Sequence, residues 1–555
     1  MRTLLQKIEE LKSNNEIYKL INTPNYILMI NIILSVLFSI SLFFAPFVYV
    51  IFGLCVISII LSNGLNKIYN ICFWSIFANC FRVSAADNSM YAYILIIGCV
   101  LISVDFLIDV FYKKKKFNLV ISILYATLAI FMALPIGGFS FTKTIVPILS
   151  LFIIFISTIK SNEIDFVLLA KIFIYGILIS SIISVFRNIF KRVTDFNFNF
   201  QGPTENTVRF SALFTDPNFY STCLMIALSL LVVLFIKDKI NWHFYFILFA
   251  FSIFSYMTMS KMCYILYFVN IIALIVALSF KKQVLMKKLL SIGIALIVCV
   301  LSLFGVFKYS SKTLGRFGAE GSFMAKVAPK YDLTDVFEWM YKEEEIVIIQ
   351  NNTNNTNSLT QPNQSLEVEN QIYQEQIEQG AVEYLPAIKN FLNSKLGRWL
   401  NGLATFRLSL WLGYFSYLVQ NPVALLFGVG ENPEYLKIAT NVGILQFEPH
   451  NSFIQFVYSY GLIGFGLVVA IVVMTILNNK NKFKNFNILS ILPIFILFCC
   501  LMSLCWVGAY QVPFFILLAS FCMTFVKREK VLTSEFKNDK IISNNSLKGE
   551  GDENV

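Results

Sequence analysis

Histidine is almost missing from this chain: of its 555 residues only His243 and His450 carry an imidazole. Charge is scarce as well. Asp, Glu, Lys and Arg make up 14% of the residues, where soluble proteins average roughly 25%. With 57% hydrophobic residues and a mean hydropathy of +0.69, a soluble multidomain protein is excluded. Phosphate-cradling P-loops, dinucleotide glycine fingerprints and Cys/His metal spacings are also lacking, which argues against an ATP-driven pump and against a zinc site. The long polar stretch of the chain contains no cysteine. Most of the 11 cysteines lie in or beside apolar runs, such as Cys55, Cys99, Cys299, Cys499 and Cys500, and read as small core residues rather than a disulfide framework.

What is present is a succession of apolar runs long enough to cross ~30 Å of hydrocarbon as helices. They fall near 26–44, 46–62, 68–83, 91–112, 118–136, 142–160, 165–187, 219–236, 242–259, 262–280, 288–308, 451–476, 486–506 and 510–526. The expectation is an all-α polytopic membrane protein with about 12 to 14 transmembrane helices and one large extracytoplasmic loop. The run at 68–83, short and interrupted by Asn70 and Asn79, has the alternative of lying in the interface.

The net charge of +11 does not point to nucleic acid, because the Lys and Arg residues cluster in short loops between apolar runs. The clusters at 113–116, 237–239, 281–288, 480–484 and 527–530 all fall on the side of the N-terminus, so both termini are expected in the cytoplasm. Residues 1–25 form a charged amphipathic stretch without a cleavage site, expected to remain attached. A bundle follows at 26–308, with a short outer loop at 188–218. The large outer loop covers 309–450 and divides into a polar flexible insert, 343–383, and an ordered amphipathic part, 387–450. Helices at 451–526 and a cytoplasmic tail at 527–555 complete the chain.

Four stretches place polar or cationic side chains at the expected outer helix ends. Arg209 to Asn218 ends in Asp216-Pro217-Asn218, which serves either as a turn and helix start or as part of a site. Arg209, with Arg187, Lys191 and Arg192, makes an outer loop basic against the positive-inside tendency, and its guanidinium fork suits phosphate. Thr258-Met259-Ser260-Lys261 offers either a snorkelling lysine or a phosphate contact. Arg398-Trp399 and Arg407, Trp411 and Tyr414, the last three sharing a helical face, fit an interfacial helix or a cation held beside rings that a sugar or headgroup would meet. Pro449-His450-Asn451-Ser452 presents a histidine that is either structural or a proton acceptor. His243, after Asn241-Trp242, reads as interfacial.

The Arg209-to-Asn218 element, Ser260-Lys261, Thr405 to Trp411, Phe427 to Gly430, and His450-Asn451-Ser452-Phe453 with Tyr460-Gly461-Leu462-Ile463-Gly464 resemble the O-antigen ligase and O-antigen polymerase family of bacterial membrane glycosyltransferases. The likeness covers about 205–280 and 398–466. It implies metal-independent, cofactor-free transfer of a glycan from an undecaprenyl-pyrophosphate carrier on the outer face of the bacterial inner membrane. By that likeness Arg209 and Arg407 neutralise the pyrophosphate, and His450 orients or deprotonates the acceptor hydroxyl. Lys261, Arg398, Trp411, Tyr414, Asn218 and Asn451 would bind substrate. Lys261 stands where the family often has arginine, keeping the charge but losing the bidentate fork.

The expected partners are the lipid-linked glycan, a glycan or lipid acceptor, membrane lipids, and polysaccharide export or chain-length proteins. Polymerisation of repeat units leads, with ligation to lipid A core or another acceptor as its neighbour. A lipid-linked oligosaccharide flippase is the different class, and Asp105 and Asp109, within the fourth apolar run, are the residues that favour it.

Overall fold

The protein is described by a computed structural model that covers residues 15–41, 45–64, 66–77, 89–111, 119–133, 148–149, 151–152, 155–156, 164–190, 200–201, 209–210, 212, 217–258, 260–280, 285–313, 381–403, 407–430, 436–440, 443–446, 449–478 and 491–502. The insert at 343–380, the spans expected at 142–160 and 510–526 for most or all of their length, and the tail at 527–555 lie outside these residues.

The chain is mostly helical. In order come α1 (Glu16–Ile21), α2 (Pro24–Ser41), α3 (Ala45–Leu61), α4 (Asn66–Phe77), α5 (Ser89–Phe111), α6 (Leu119–Ala133), α7 (Phe166–Phe190), a hairpin of β1 (Phe200–Gln201) and β2 (Arg209–Phe210), then α8 (Pro217–Ile236), α9 (His243–Met257), α10 (Lys261–Phe280) and α11 (Leu285–Thr313). After these lie α12 (Pro386–Asn393), α13 (Lys395–Leu403), α14 (Arg407–Gln420), α15 (Pro422–Phe427), the strands β3 (Lys437–Thr440) and β4 (Gly443–Gln446), α16 (Ser452–Asn478) and α17 (Ile491–Leu501). Among the described residues, Val167–Val185, Met262–Phe280, Leu285–Ser302 and Ser452–Met474 are long and apolar enough to cross a membrane, and six shorter apolar helices accompany them.

The predominance of helix among the described residues agrees with the expected all-α class, to which two short antiparallel hairpins are added. In the first, Gln201 faces Arg209 and Phe200 faces Phe210. In the second, Ile438 faces Leu445, and Val382 adds a parallel bridge to Ile438. The segment Lys437-Ile438-Ala439-Thr440 has no helical stripe, and its Ile and Thr suit a pleated strand.

The largest core joins α2–α5 with α7–α11 and α17, its most buried large side chains including Trp74, Phe173, Tyr220, Phe244 and Phe251. A second cluster unites α6 with α16 through Tyr125, Leu128, Phe456 and Tyr460. A third packs Tyr384, Leu410, Tyr414, Leu418, Ile438 and Tyr458, seating α12, α14, α15 and β3 against the first turns of α16. The cysteines described are free, and all but the half-buried Cys499 are buried, as expected of small core residues.

Helix α4, the described part of the run at 68–83, is enclosed by α2, α3, α5 and α7. Its polar face is satisfied from several sides. Lys67 Nζ meets Asp105 Oδ2 at 2.5 Å, Asn31 Nδ2 donates to Asn70 Oδ1 at 2.6 Å, Asn70 Nδ2 donates to Ser62 Oγ, and Tyr69 Oη accepts the Asp165 amide at 2.6 Å. Asn70 weakens the apolar signal of this run, yet it is a bonded core residue.

Helix α16 is broken at Gly461, whose backbone (φ 64°, ψ −176°) is open to glycine alone. The chain leaving α15 fills the break. Val429 N donates to Tyr458 O at 2.9 Å and Gly430 N donates to Ser459 O at 3.0 Å, so carbonyls that the break strips of helical partners are satisfied. The crossing brings Gly428 (φ 79°) and Gly461 into reciprocal backbone contact. A Cβ on Gly428 would fall 2.2 Å from the Ser459 carbonyl oxygen, and one on Gly461 2.2 Å from that of Leu426.

Candidate functional site

Two of the four polar stretches meet at the start of α8. Pro217 opens that helix with an imino nitrogen where no amide partner is needed. Asn218 follows, its carbonyl accepting from Ser221 Oγ and Thr222 Oγ1, both at 2.9 Å. The polar break between α9 and α10 comes alongside: Ser260 Oγ donates to Asn218 Oδ1 at 3.4 Å, while Thr258 Oγ1 bonds back to Ser255 O at 2.8 Å. Lys261 opens α10 directly after Ser260; its side chain lies outside the described atoms. The side chain of Arg209 does too. Its backbone is fixed by the next residue, Phe210, which is fully buried between Tyr220 and Phe254 with ring centroids 5.5 and 5.7 Å away.

The other two stretches meet at the start of α16. The indole Nε1 of Trp411 donates to the Pro449 carbonyl at 2.7 Å, joining α14 to the residue before His450. On the other side of His450, Asn451 caps α16, its Oδ1 accepting from Phe453 N at 3.0 Å and Ile454 N at 3.2 Å. His450 stands between these anchors, half-buried, with φ at +45°. That left-handed conformation costs a non-glycine residue roughly 1–2 kcal/mol and persists only where its surroundings over-determine it. Here the bonds at Pro449 and Asn451 do so. The backbone of His450 is thereby fixed at the entrance of α16.

The two halves approach each other through the end of α17. Helix α17 packs along α8, with Cys500 beside Thr222, and two residues on, Met502 Sδ receives Asn451 Nδ2 at 3.9 Å. Asn218, Ser260, Trp411, His450 and Asn451 therefore share one end of the bundle.

Arg407 begins α14, where Asn401 of α13 caps the helix by accepting the Ser409 amide at 2.9 Å. A cation at the first residue of a helix adds to the positive end of the macrodipole and is unfavourable there. Lys261 and Lys395 occupy the same position in α10 and α13. At the start of α16, Asn451 Oδ1 already occupies two of the backbone amides that a helix N-terminus leaves without carbonyl partners.

Three expectations change. Tyr414 is fully buried, edge-on to Tyr458 at 4.9 Å, and so presents no face on which a sugar could stack. Its position on the Arg407 stripe turns it into the third core because α14 is enclosed on that side. Asn451 is the cap of α16 and a core residue, 2% exposed, rather than a substrate contact. Trp411 spends its indole N–H on Pro449. Arg398 is exposed on α13, one turn before the Asn401 that caps α14. His243 opens α9, its ring stacked at 4.4 Å on the exposed Trp242.

Sequence reasoning missed Asn401 and the Thr222–Cys500 contact; a cap supplied from another helix leaves no local signal. Among the described residues no group of three or more His, Cys, Asp or Glu side chains is placed to hold a metal ion.

No family model, no curated protein and no solved structure matches the chain.

The cap role of Asn451 has a measurable consequence. Asn451→Ala is expected to lower thermal stability by about 1 kcal/mol, and Asn451→Asp, which keeps the accepting oxygen, by less. Equal losses in the two variants, read by fluorescence melting of the purified protein, would remove the capping account.

Proposed function

We propose that the chain is a membrane glycosyltransferase that polymerises undecaprenyl-pyrophosphate-linked oligosaccharide repeat units on the outer face of the bacterial inner membrane, both termini lying in the cytoplasm and the bundle holding about 12 to 14 spans. The observation that carries this reading is the Trp411-to-Pro449 bond, which ties α14, one turn after Arg407, to the residue preceding a strained His450. Ligation of the glycan to lipid A core or another acceptor uses the same donor and the same residues.

The chemistry follows from these groups. Breaking the sugar–phosphate bond leaves the electron pair on a pyrophosphate oxygen, and a fixed guanidinium stabilises that charge as it grows. Arg407 has this role, with Arg209 and Lys261 from the α8–α10 side. The acceptor hydroxyl forms the new bond to the anomeric carbon and gives its proton to the imidazole of His450. The pyrophosphate is itself a good leaving group, so no carboxylic acid is required to protonate it.

Trp411 enters the mechanism as a positioning residue. Trp411→Phe keeps the ring but deletes the donor to Pro449, and about a tenfold fall in kcat with little change in KM is expected, the loss of one neutral hydrogen bond acting through geometry. A rise in KM alone would return Trp411 to the substrate-binding role.

The test of function is reconstitution: purified protein in liposomes, a short undecaprenyl-pyrophosphate glycan, and product length read on a gel. Chain extension supports polymerisation, and transfer only to added lipid A core supports ligation. Movement of the donor across the bilayer with no new glycosidic bond would replace both with transport. The observation that favours transport is the Lys67–Asp105 pair with buried Asp109 one turn further on, since ionisable groups within a bundle mark pathways in many carriers.

A further inference from the structure

From Leu385 to Gly430 the sequence contains no Asp or Glu, while Lys389, Lys395, Arg398 and Arg407 are cationic. This acid-free segment is α12 to α15, and its height relative to the membrane is set by packing. Ile388 and Leu392 of α12 join the cluster that contains Tyr458, less than two turns into the spanning helix α16. Tyr384 Oη donates to Ser409 O at 3.1 Å and the Leu385 amide to Ser416 Oγ at 3.2 Å, fastening the segment along α14. Helices α12 to α14 therefore sit level with the upper turns of a transmembrane helix, where an outward face meets lipid.

The outward face of α13 suits that place. Leu396 and Trp399, three residues apart, are 58% and 46% exposed. Lys395 and Arg398, also three apart, are exposed next to them. Ser394 bends the chain between α12 and α13 and caps the latter, accepting the Gly397 amide at 3.0 Å, so the stripe is presented by a fixed element. In water, two bare apolar side chains on one short helix would be a liability; at a bilayer surface, apolar groups flanked by cations form an anchor.

We infer that α13 is an interfacial anchor for anionic phospholipid, with Leu396 and Trp399 seated at the headgroup–acyl boundary and Lys395 and Arg398 on the lipid phosphates of the leaflet that borders the candidate site. The occupant is the bilayer because charge complementarity selects it: every charged side chain on α12 to α15 is a cation, and phosphate is the anion found at that depth. The assignment stands apart from the reaction proposed above.

The experiment uses the full chain in nanodiscs of phosphatidylcholine, alone or with phosphatidylglycerol, containing lipid brominated near the top or near the end of its acyl chains. The emission of Trp399, one of six tryptophans, is obtained by difference from Trp399→Phe. The expected result is quenching by the shallow bromine about twofold or more above that by the deep one. Phosphatidylglycerol should strengthen it, and the Lys395→Gln/Arg398→Gln double variant should lose that strengthening. Quenching by aqueous iodide with none by either lipid would overturn the anchor. A signal that appears only with two copies per disc would give the face to a second chain instead, and indifference to phosphatidylglycerol would remove the phosphate contact. Glycan transfer enters none of these readouts, so inactivity of the protein would leave the result interpretable.

Discussion

Gly461→Ala and Gly428→Ala are expected to abolish accumulation of folded protein. Both glycines occupy a backbone region in which a side chain is strained by roughly 1–3 kcal/mol before any neighbour is considered. Each added methyl would then lie 2.2 Å from a backbone carbonyl oxygen of the opposing segment, where no side-chain rotation relieves the overlap. Opening the crossing to admit the methyl also withdraws the Val429 and Gly430 amides from the Tyr458 and Ser459 carbonyls. Two carbonyls would then be left at membrane depth, each costing several kcal/mol if unsatisfied. The sum equals or exceeds the whole stability of an ordinary domain, ~5–15 kcal/mol. The check is size-exclusion elution of a fluorescent fusion. Gly53→Ala, at a helical glycine whose added methyl would touch nothing within 4 Å, is the control expected to elute like the parent. Monodisperse Gly461→Ala at parental yield would refute the crossing.

The second large effect is on rate. His450→Ala and Arg407→Ala are each expected to lower glycan transfer by about 10²–10⁴-fold, the range for loss of a general base or of one charge-stabilising donor. The two should differ in how they fail. Arg407→Lys keeps a charge without the fork and should recover part of the activity, because a point charge still faces the leaving phosphate. His450→Gln keeps a polar group of similar size and should recover little. Initial rates in liposomes, with folding verified by elution profile, separate these cases. Unchanged transfer in both alanine variants would sink the site assignment, whatever the reaction turns out to be.

Composition was enough to point to a membrane protein, because 14% charged residues are too few to cover a soluble chain of this size. The individual helices were legible where apolar runs were long, as in 165–187 and 262–280 against the apolar helical stretches Val167–Val185 and Met262–Phe280. The hairpin of β3 and β4 was not, since the amphipathic character of 387–450 indicates order without separating two four-residue strands from the helices around them. Of the site, the sequence showed which stretches were unusual, and contacts that cross the chain decided what each residue does. An asparagine directly before an apolar run carries a helix-cap signature, visible at Asn451 from sequence alone, but a histidine beside it drew the functional reading instead. Nothing local foretells that the Trp411 indole finds a carbonyl 38 residues away. The reciprocal approach of Gly428 and Gly461 was equally hidden. A glycine announces a permitted conformation without naming the backbone that will come close to it.

The pair formed by Lys67 and Asp105 bears on how the chain enters its membrane. The two residues are 38 positions apart on α4 and α5, and Lys67 is almost wholly enclosed. Lys67, the second residue of α4, could reach the interface on its own, whereas Asp105 lies inside α5, and a lone charge costs up to about 2.5–3.5 kcal/mol at the centre of an inserting helix. Released singly into lipid, α5 would carry that burden and α4 an unpaired Asn70. Leaving the insertion machinery beside α5, α4 shares a neutral pair with it, and Asn70 finds Asn31 and Ser62 already present on α2 and α3. The order of biogenesis that this favours is a delayed one, in which α4 waits at the exit until the helix after it has been made.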